Sequence, residues 1–176
     1  IRPIGNDLKI GSRIAGQGDL LSPFLMGSLA SAGVNSVEVF RKPVIGVFSS
    51  GDELRDPGVQ VEDLLEGQIY DSNRLTVIQL LANLPLEVRD LGRLADEVDV
   101  VSEALTSGAQ YCDAMITSGG VSVGDADYIT ETIEKLGTLA FWRLNLKPGK
   151  PMAFGKIENC WIFGLPGNPV STIVTA

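Results

Sequence analysis

The chain has 176 residues, 44% of them hydrophobic and 20% charged, with a formal net charge of −8 and no histidine. That length supports one sizeable core with an appended subdomain. The missing histidine excludes a Ser-His-Asp triad or a His-rich zinc site within the chain, and the acidic balance argues against binding a nucleic acid. No apolar stretch approaches the roughly 20 residues of a membrane helix and no secretory leader is evident, so a cytoplasmic protein with no membrane partner is expected. Cys112 and Cys160 lie in or beside apolar segments without a CxxC spacing and read as reduced, buried thiols. The chain opens on Ile1 and stops inside an expected helix, so it is expected to be a piece of a longer protein.

In chain order, residues 1–43 differ from the rest. Ser22-Pro23 is a good helix start and Ala32-Gly33 a good stop, with Phe24, Leu25, Leu29 and Ala32 able to share a face. Extended segments near residues 1–10 and 34–40 should flank this helix. From Val44 strands and helices alternate. Strands are expected at 44–48, 87–91, 114–117, 140–144, 152–156 and 161–163. Helices are expected at 73–84, 97–109 and 126–136, and another should begin at Pro169. This rhythm predicts a three-layer α/β/α domain over 44–176 with a mostly parallel sheet, which binds ligands at the carboxyl ends of its strands.

The candidate motifs fall at those ends. After the first strand comes Ser49-Ser50-Gly51-Asp52-Glu53-Leu54, whose adjacent carboxylates either face a ligand or are solvated turn acids. In Tyr70-Asp71-Ser72-Asn73-Arg74, Asp71 or Ser72 caps a helix or serves a site. Arg74 opposes the helix dipole there and calls for another anionic partner. Asp96, in Gly92-Arg93-Leu94-Ala95-Asp96-Glu97, reads as an N-cap or as a site acid.

The most informative run is Ser118-Gly119-Gly120-Val121-Ser122-Val123-Gly124-Asp125-Ala126-Asp127-Tyr128. Paired glycines at a strand-to-helix turn let backbone N–H groups approach a phosphate. Asp125 and Asp127 would repel a phosphate unless a cation lies between, so Asp127 implies Mg²⁺. Arg143, Lys147 and Lys150 form a dense cation cluster stiffened by Pro148 and Pro151, with Arg143 and Lys147 expected on one strand face. The last motif, Gly164-Leu165-Pro166-Gly167-Asn168-Pro169-Val170-Ser171, sets Asn168 as a cap and Pro169 at the first helical position.

Ser-Gly-Gly-Val-Ser-Val-Gly-Asp-Ala-Asp-Tyr, Gly-Asp-Glu-Leu, Ile-Tyr-Asp-Ser-Asn-Arg, Leu-Lys-Pro-Gly-Lys-Pro and Gly-Leu-Pro-Gly-Asn-Pro-Val-Ser, in that order, resemble the MoeA family, the molybdopterin molybdenumtransferases. The resemblance implies that 44–176 is a C-terminally truncated, molybdopterin-binding MogA-like domain, and that 1–43 is part of an elongated linker and dimerisation domain. It implies a reaction on adenylylated molybdopterin and molybdate that releases AMP with Mg²⁺ and leaves molybdenum on the dithiolene sulfurs. A homodimer is implied, with MogA-like adenylyltransferase and molybdoenzyme partners. Two alternatives are a MogA-like molybdopterin adenylyltransferase and a non-catalytic molybdopterin-binding scaffold. The Val-Ser-Val-Gly-Asp-Ala-Asp-Tyr and Lys-Pro-Gly-Lys-Pro segments, and the presence of the three acids named next, favour the transferase.

By the same resemblance Glu53, Asp96 and Asp127 are the metal-dependent catalytic acids, with Asp52 in support and Asp7 a lesser candidate. Gly119, Gly120 and Ser122 line the pterin-phosphate site with Ser118 and Asn73 beside them. Lys147 and Lys150 neutralise phosphate or molybdate, and Arg143 stands where the family often has lysine, keeping the charge but changing its geometry. Pro166 and Pro169 shape the last loop, and Ser171 offers a hydroxyl.

Overall fold

The structure, a computed structural model, describes residues 3–121, 128–144, 149 and 151–176. Ser122, Asp125, Asp127, Lys147 and Lys150 therefore lie outside the described residues. The chain forms two compact units, one ending at Arg41 and the other beginning at Lys42.

In the first unit, helix α1 spans Pro23–Ser31. The Ser22 hydroxyl caps it by accepting from the Leu25 N–H at 3.2 Å, and proline follows directly, as the Ser-Pro pair predicts. None of its residues is fully buried, and the expected apolar face is only partly covered, with Leu25 and Leu29 half-buried and Phe24 and Ala32 exposed. The flanking segments, read as extended, contain no strand among the described residues.

The second unit is built on a six-stranded sheet. Its strands are β1 (Val44–Ser50), β4 (Glu87–Leu94), β5 (Ala114–Ser118), β6 (Thr138–Arg143), β7 (Pro151–Ile157) and β8 (Cys160–Leu165), in the spatial order β4-β1-β5-β8-β7-β6. The first four in that order are parallel, and β7 and β6 complete the sheet antiparallel to their neighbours. The short strands β2 (Leu54–Arg55) and β3 (Ile69–Tyr70) pair separately and parallel.

Alternation within the buried strands sorts side chains to two faces. Phe48, Met115 and Ile162 join a core under α3 (Val98–Ala109) and α4 (Tyr128–Leu136), where Val101, Leu105, Ile129 and Ile133 are buried. Ile45, Val47 and Leu165 point to the opposite face, where Val77 of α2 (Asn73–Leu81) is buried. Gly46 on β1 is required by packing: a Cβ there would lie 2.6 Å from the Leu91 side chain and 3.1 Å from the Cys112 sulfur. Both thiols are buried and unpaired in disulfides, as expected. Loss of water raises both, Cys160 to about 12, so that thiol stays protonated at neutral pH. Among the described residues no helix is long and apolar enough to cross a membrane.

Several boundaries differ from expectation for local reasons. Helix α2 stops at Leu81, not residue 84, because a turn containing Asn83 and Pro85 follows. Strand β4 runs on to Leu94, three residues beyond its expected end. It passes a bulge at Leu91, where Gly92 takes φ +79° and Asp90 accepts the Gly92 N–H at 2.9 Å. Helix α3 begins at Val98, and its N-cap position is Glu97 without a side-chain bond, so Asp96 does not cap it. Strand β6 ends at Arg143, and the face it was expected to share with Lys147 falls on a residue outside the described ones. The last two strands form a hairpin turned by Glu158 at φ +52°.

Candidate functional site

Because β1, β4, β5 and β8 run parallel and in register, their carboxyl ends arrive together. Ser50 lies opposite Leu94, Ser49 opposite Ser118, and Ser118 opposite Leu165. The loops that follow hold the Gly51-Asp52-Glu53, Ala95-Asp96, Gly119-Gly120 and Pro166-Gly167 motifs on one edge. A small cleft opens there, lined on its polar side by Ser50, Glu53, Asp71, Asn73 and Ser118. Leu54, Ile69, Tyr70 and Pro169 supply its apolar side.

The paired glycines adopt conformations that other residues avoid, with φ +94° at Gly119 and +71° at Gly120. A Cβ on Gly119 would lie 2.2 Å from the Ser50 carbonyl oxygen, and one on Gly120 would lie 2.7 Å from Ile129. The Gly119 N–H donates to the Leu165 carbonyl at 3.1 Å and so ties this turn to β8. The Ile129 N–H donates to the Gly120 carbonyl at 3.3 Å and ties it to α4. No described residue accepts from the Gly120 N–H.

Asp96 turns toward β1. Its carboxylate accepts the Ser50 hydroxyl and, at 3.4 Å, the Asp52 N–H, while its own N–H donates to the Asp52 carboxylate at 3.3 Å. The loops after β1 and β4 thus lock reciprocally. A Cβ on Gly51 would lie 2.8 Å from a Glu53 carboxylate oxygen, so Glu53 folds back closely over this turn. The Glu53 carboxylate has no hydrogen-bond or ion-pair partner among the described residues and borders the cleft. Glu53 and Asp96 are hard oxygen donors of the kind Mg²⁺ prefers, and the oxygens of Asp96 keep lone pairs beyond the bonds they accept. They fit the implied metal, although among the described residues no three acids gather into a cluster.

Asn73, expected to touch substrate, spends its amide N–H groups within the protein, on the Ser118 hydroxyl at 2.9 Å and the Gly167 carbonyl at 2.8 Å. It clamps the loops after β5 and β8 and leaves only its carbonyl for a ligand. Asp71, not Ser72, caps α2, accepting the Arg74 N–H at 3.2 Å. It is buried, accepts the Ser49 hydroxyl at 2.5 Å, and meets the Arg74 guanidinium at 2.9 Å.

The anionic partner that Arg74 called for proves to be three carboxylates, since Asp56 and Asp90 bind it as well. Burial lowers the Arg74 pKa but is outweighed by Asp71 and Asp90, so it rises. Burial raises that of Asp90, yet the Gly92 N–H and Arg74 hold the carboxyl below its usual range. The roles of Ser49, Ser50, Asp56 and Asp90 were missed. The serines stood in a quoted motif, whereas the acids could be found only by following the unmet charge of Arg74.

The remaining residues are placed as follows. Arg143 is exposed at the end of β6, with its guanidinium 4.4 Å from the centre of the Trp142 ring. Asn168 caps helix α5 (Pro169–Thr175) by accepting from Val170 at 3.0 Å and Ser171 at 3.2 Å. Pro166 is buried and its carbonyl accepts the Thr172 hydroxyl at 2.6 Å. Ser171 is buried and does not border the cleft. Asp7 belongs to the first unit.

Residues 46–176 match the family model described as "Probable molybdopterin binding domain". The chain belongs to this family. It is 49% identical to a molybdopterin molybdenumtransferase from Haemophilus influenzae, a match covering 99% of this chain and 43% of the relative. A molybdopterin molybdenumtransferase from Bacillus subtilis is 35% identical, over 99% of this chain and 40% of that protein. Among solved structures, a molybdopterin biosynthesis MoeA protein from Pyrococcus horikosii superposes with a TM-score of 0.83 at 31% identity, covering 97% of this chain and 42% of that one. The expected family and fold class are borne out. The chain spans less than half the length of these MoeA-type relatives.

Proposed function

We propose that this molybdopterin-binding domain serves a molybdopterin molybdenumtransferase, which takes adenylylated molybdopterin and molybdate, releases AMP and leaves molybdenum on the pterin dithiolene. The observation that carries this reading is the joining of two halves at one sheet edge. A positive-φ diglycine turn, whose Gly120 N–H no described residue accepts, lies against the Ser50 backbone, and the Ser50 hydroxyl is hydrogen-bonded to Asp96. An anion cradle and a carboxylate group therefore share a strand end, as a pyrophosphate with a divalent ion would require.

In this reading the Gly120 N–H holds the pterin phosphate, Asn73 keeps the cradle loops together, and Lys147, Lys150 and Arg143 supply positive charge. Ser122, Pro166, Pro169 and Ser171 complete the surrounding loops. Glu53 and Asp96, with Asp127, would hold Mg²⁺, whose charge offsets that of the pyrophosphate oxygens when bound. Asp52 fixes Asp96 through their mutual backbone bonds. The acting species is a cytoplasmic homodimer that receives its substrate from a MogA-like adenylyltransferase and passes product to molybdoenzymes. The 49% identity to a molybdenumtransferase favours this activity over adenylyl transfer.

The test is AMP release by the full-length dimer. Turnover should require adenylylated molybdopterin and molybdate, vanish on chelation with EDTA, and return when Mg²⁺ is restored. A dimer that binds the substrate but releases no AMP above background would refute the reading.

A further inference from the structure

We propose that Arg74 is a positioning residue, which latches the segment from Asp52 to Tyr70 over the cleft through Asp56 and thereby sets the place of Glu53. This rests on the site reading above and goes beyond it, because Arg74 borders no ligand position itself.

Three observations support the latch. First, the guanidinium makes a three-way junction: its Nε meets Asp71 at 2.9 Å, one terminal nitrogen meets Asp90 at 2.6 Å, and the other meets Asp56. Each carboxylate belongs to a different segment. Asp71 is gripped by Ser49 at the end of β1, Asp90 holds the β4 bulge through Gly92, and Asp56 follows β2.

Second, residues 52–70 are zipped largely to themselves. Ile69 donates to the Glu53 carbonyl at 2.9 Å, Asp71 to the Arg55 carbonyl at 2.8 Å, and the Tyr70 hydroxyl to the Val59 carbonyl at 2.6 Å. The segment therefore forms a self-bonded flap between Gly51 and Asp71. Among the described residues, the ties from its side chains to the rest of the domain are Asp52 to the Asp96 N–H at one end and Asp56 to Arg74 farther along. Val61, Leu65 and Ile69 stay more than half exposed, so apolar burial does little to hold it down.

Third, a cation in the first turn of α2 opposes the helix dipole, and its placement makes sense only through the acids it gathers. The Arg74 side chain is 11% exposed, so its bonds are screened less than those of a surface pair. Lysine cannot replace it, because one ammonium cannot point at three carboxylates in these directions.

The experiment compares Asp56→Asn, Asp90→Asn and Arg74→Lys with wild type in the full-length protein, measuring hydrogen exchange over residues 53–70 alongside AMP release. Asp56 and Asp90 are more than half exposed, so neither change should prevent folding. Asp56→Asn should speed flap exchange roughly three- to tenfold while α3 keeps wild-type protection, and Asp90→Asn should leave the flap at its wild-type rate. Arg74→Lys should behave as Asp56→Asn does. In Asp56→Asn kcat should fall while KM for the adenylylated pterin stays within about twofold, since the diglycine cradle is intact.

A flap that exchanges at the wild-type rate in Asp56→Asn overturns the proposal, and so does a faster-exchanging flap with unchanged kcat. If the wild-type protein releases no AMP, the site reading fails, and the exchange comparison then decides the latch alone.

Discussion

Gly119→Ala is expected to lower stability by about 3 kcal/mol and to abolish binding of the pterin phosphate. Two effects add at this position. An alanine at φ +94° carries the left-handed penalty of about 1–2 kcal/mol. Its methyl would also sit 2.2 Å from the Ser50 carbonyl oxygen, and neither partner is a flexible side-chain end that could swing aside. Either the turn lifts off β1, breaking the bond from the Gly119 N–H to Leu165, or the end of β1 shifts and draws the Ser50 hydroxyl from Asp96. For a domain of this size, melting should fall by roughly 6–12 °C. Gly92→Ala is the informative comparison, because its φ is +79° but nothing lies within 4 Å of the added carbon. It should show the conformational penalty alone, about 1 kcal/mol, and keep binding. Thermal melts of both variants with a pterin-binding measurement check this, and equal losses in the two would remove the close approach to Ser50 from the explanation.

The second large effect concerns Asp96, and Asp96→Asn separates its two possible roles. If Asp96 served only as a helix cap, asparagine would replace it without loss, because the two residues cap equally well. The structure instead has both carboxylate oxygens accepting, from Ser50 and from Asp52. An amide nitrogen cannot accept, and the substitution also removes the negative charge offered to a divalent ion. Turnover by the full-length protein should therefore fall by about 100-fold or more, with melting changed by only a few degrees because Asp96 lies at a partly exposed loop. Measuring kcat for AMP release and the melting temperature on one preparation decides it. Wild-type turnover would return Asp96 to a structural role.

The uncertainty over Asp96 shows where the sequence could be read and where it could not. Strand and helix order was legible from Val44 onward because each buried strand is a short apolar run and α4 carries a strong 3.6-residue pattern. The diglycine turn was legible because positive φ at paired glycines has few other uses. An N-cap and a site acid look alike in sequence, however. What separated them was the bulge at Leu91, which carried β4 on to Leu94 and brought Asp96 beside Ser50. Asn73 was equally ambiguous, since a side chain near a cradle can touch the ligand or clamp the loops that form it. The flap was not legible at all. Its hold on the sheet depends on Arg74 meeting acids 16 and 18 residues away, pairings that only the tertiary fold sets.

The central claim is that the diglycine turn and the Glu53–Asp96 carboxylates face one pyrophosphate, and a crystal structure of the full-length protein with adenylylated molybdopterin tests it most directly. The pterin phosphate should lie within hydrogen-bonding distance of the Gly120 N–H, with Glu53 and Asp96 directed at the pyrophosphate across the cleft. A ligand bound away from the carboxyl ends of β1 and β5, or one whose pyrophosphate lies clear of both carboxylates, would contradict the account.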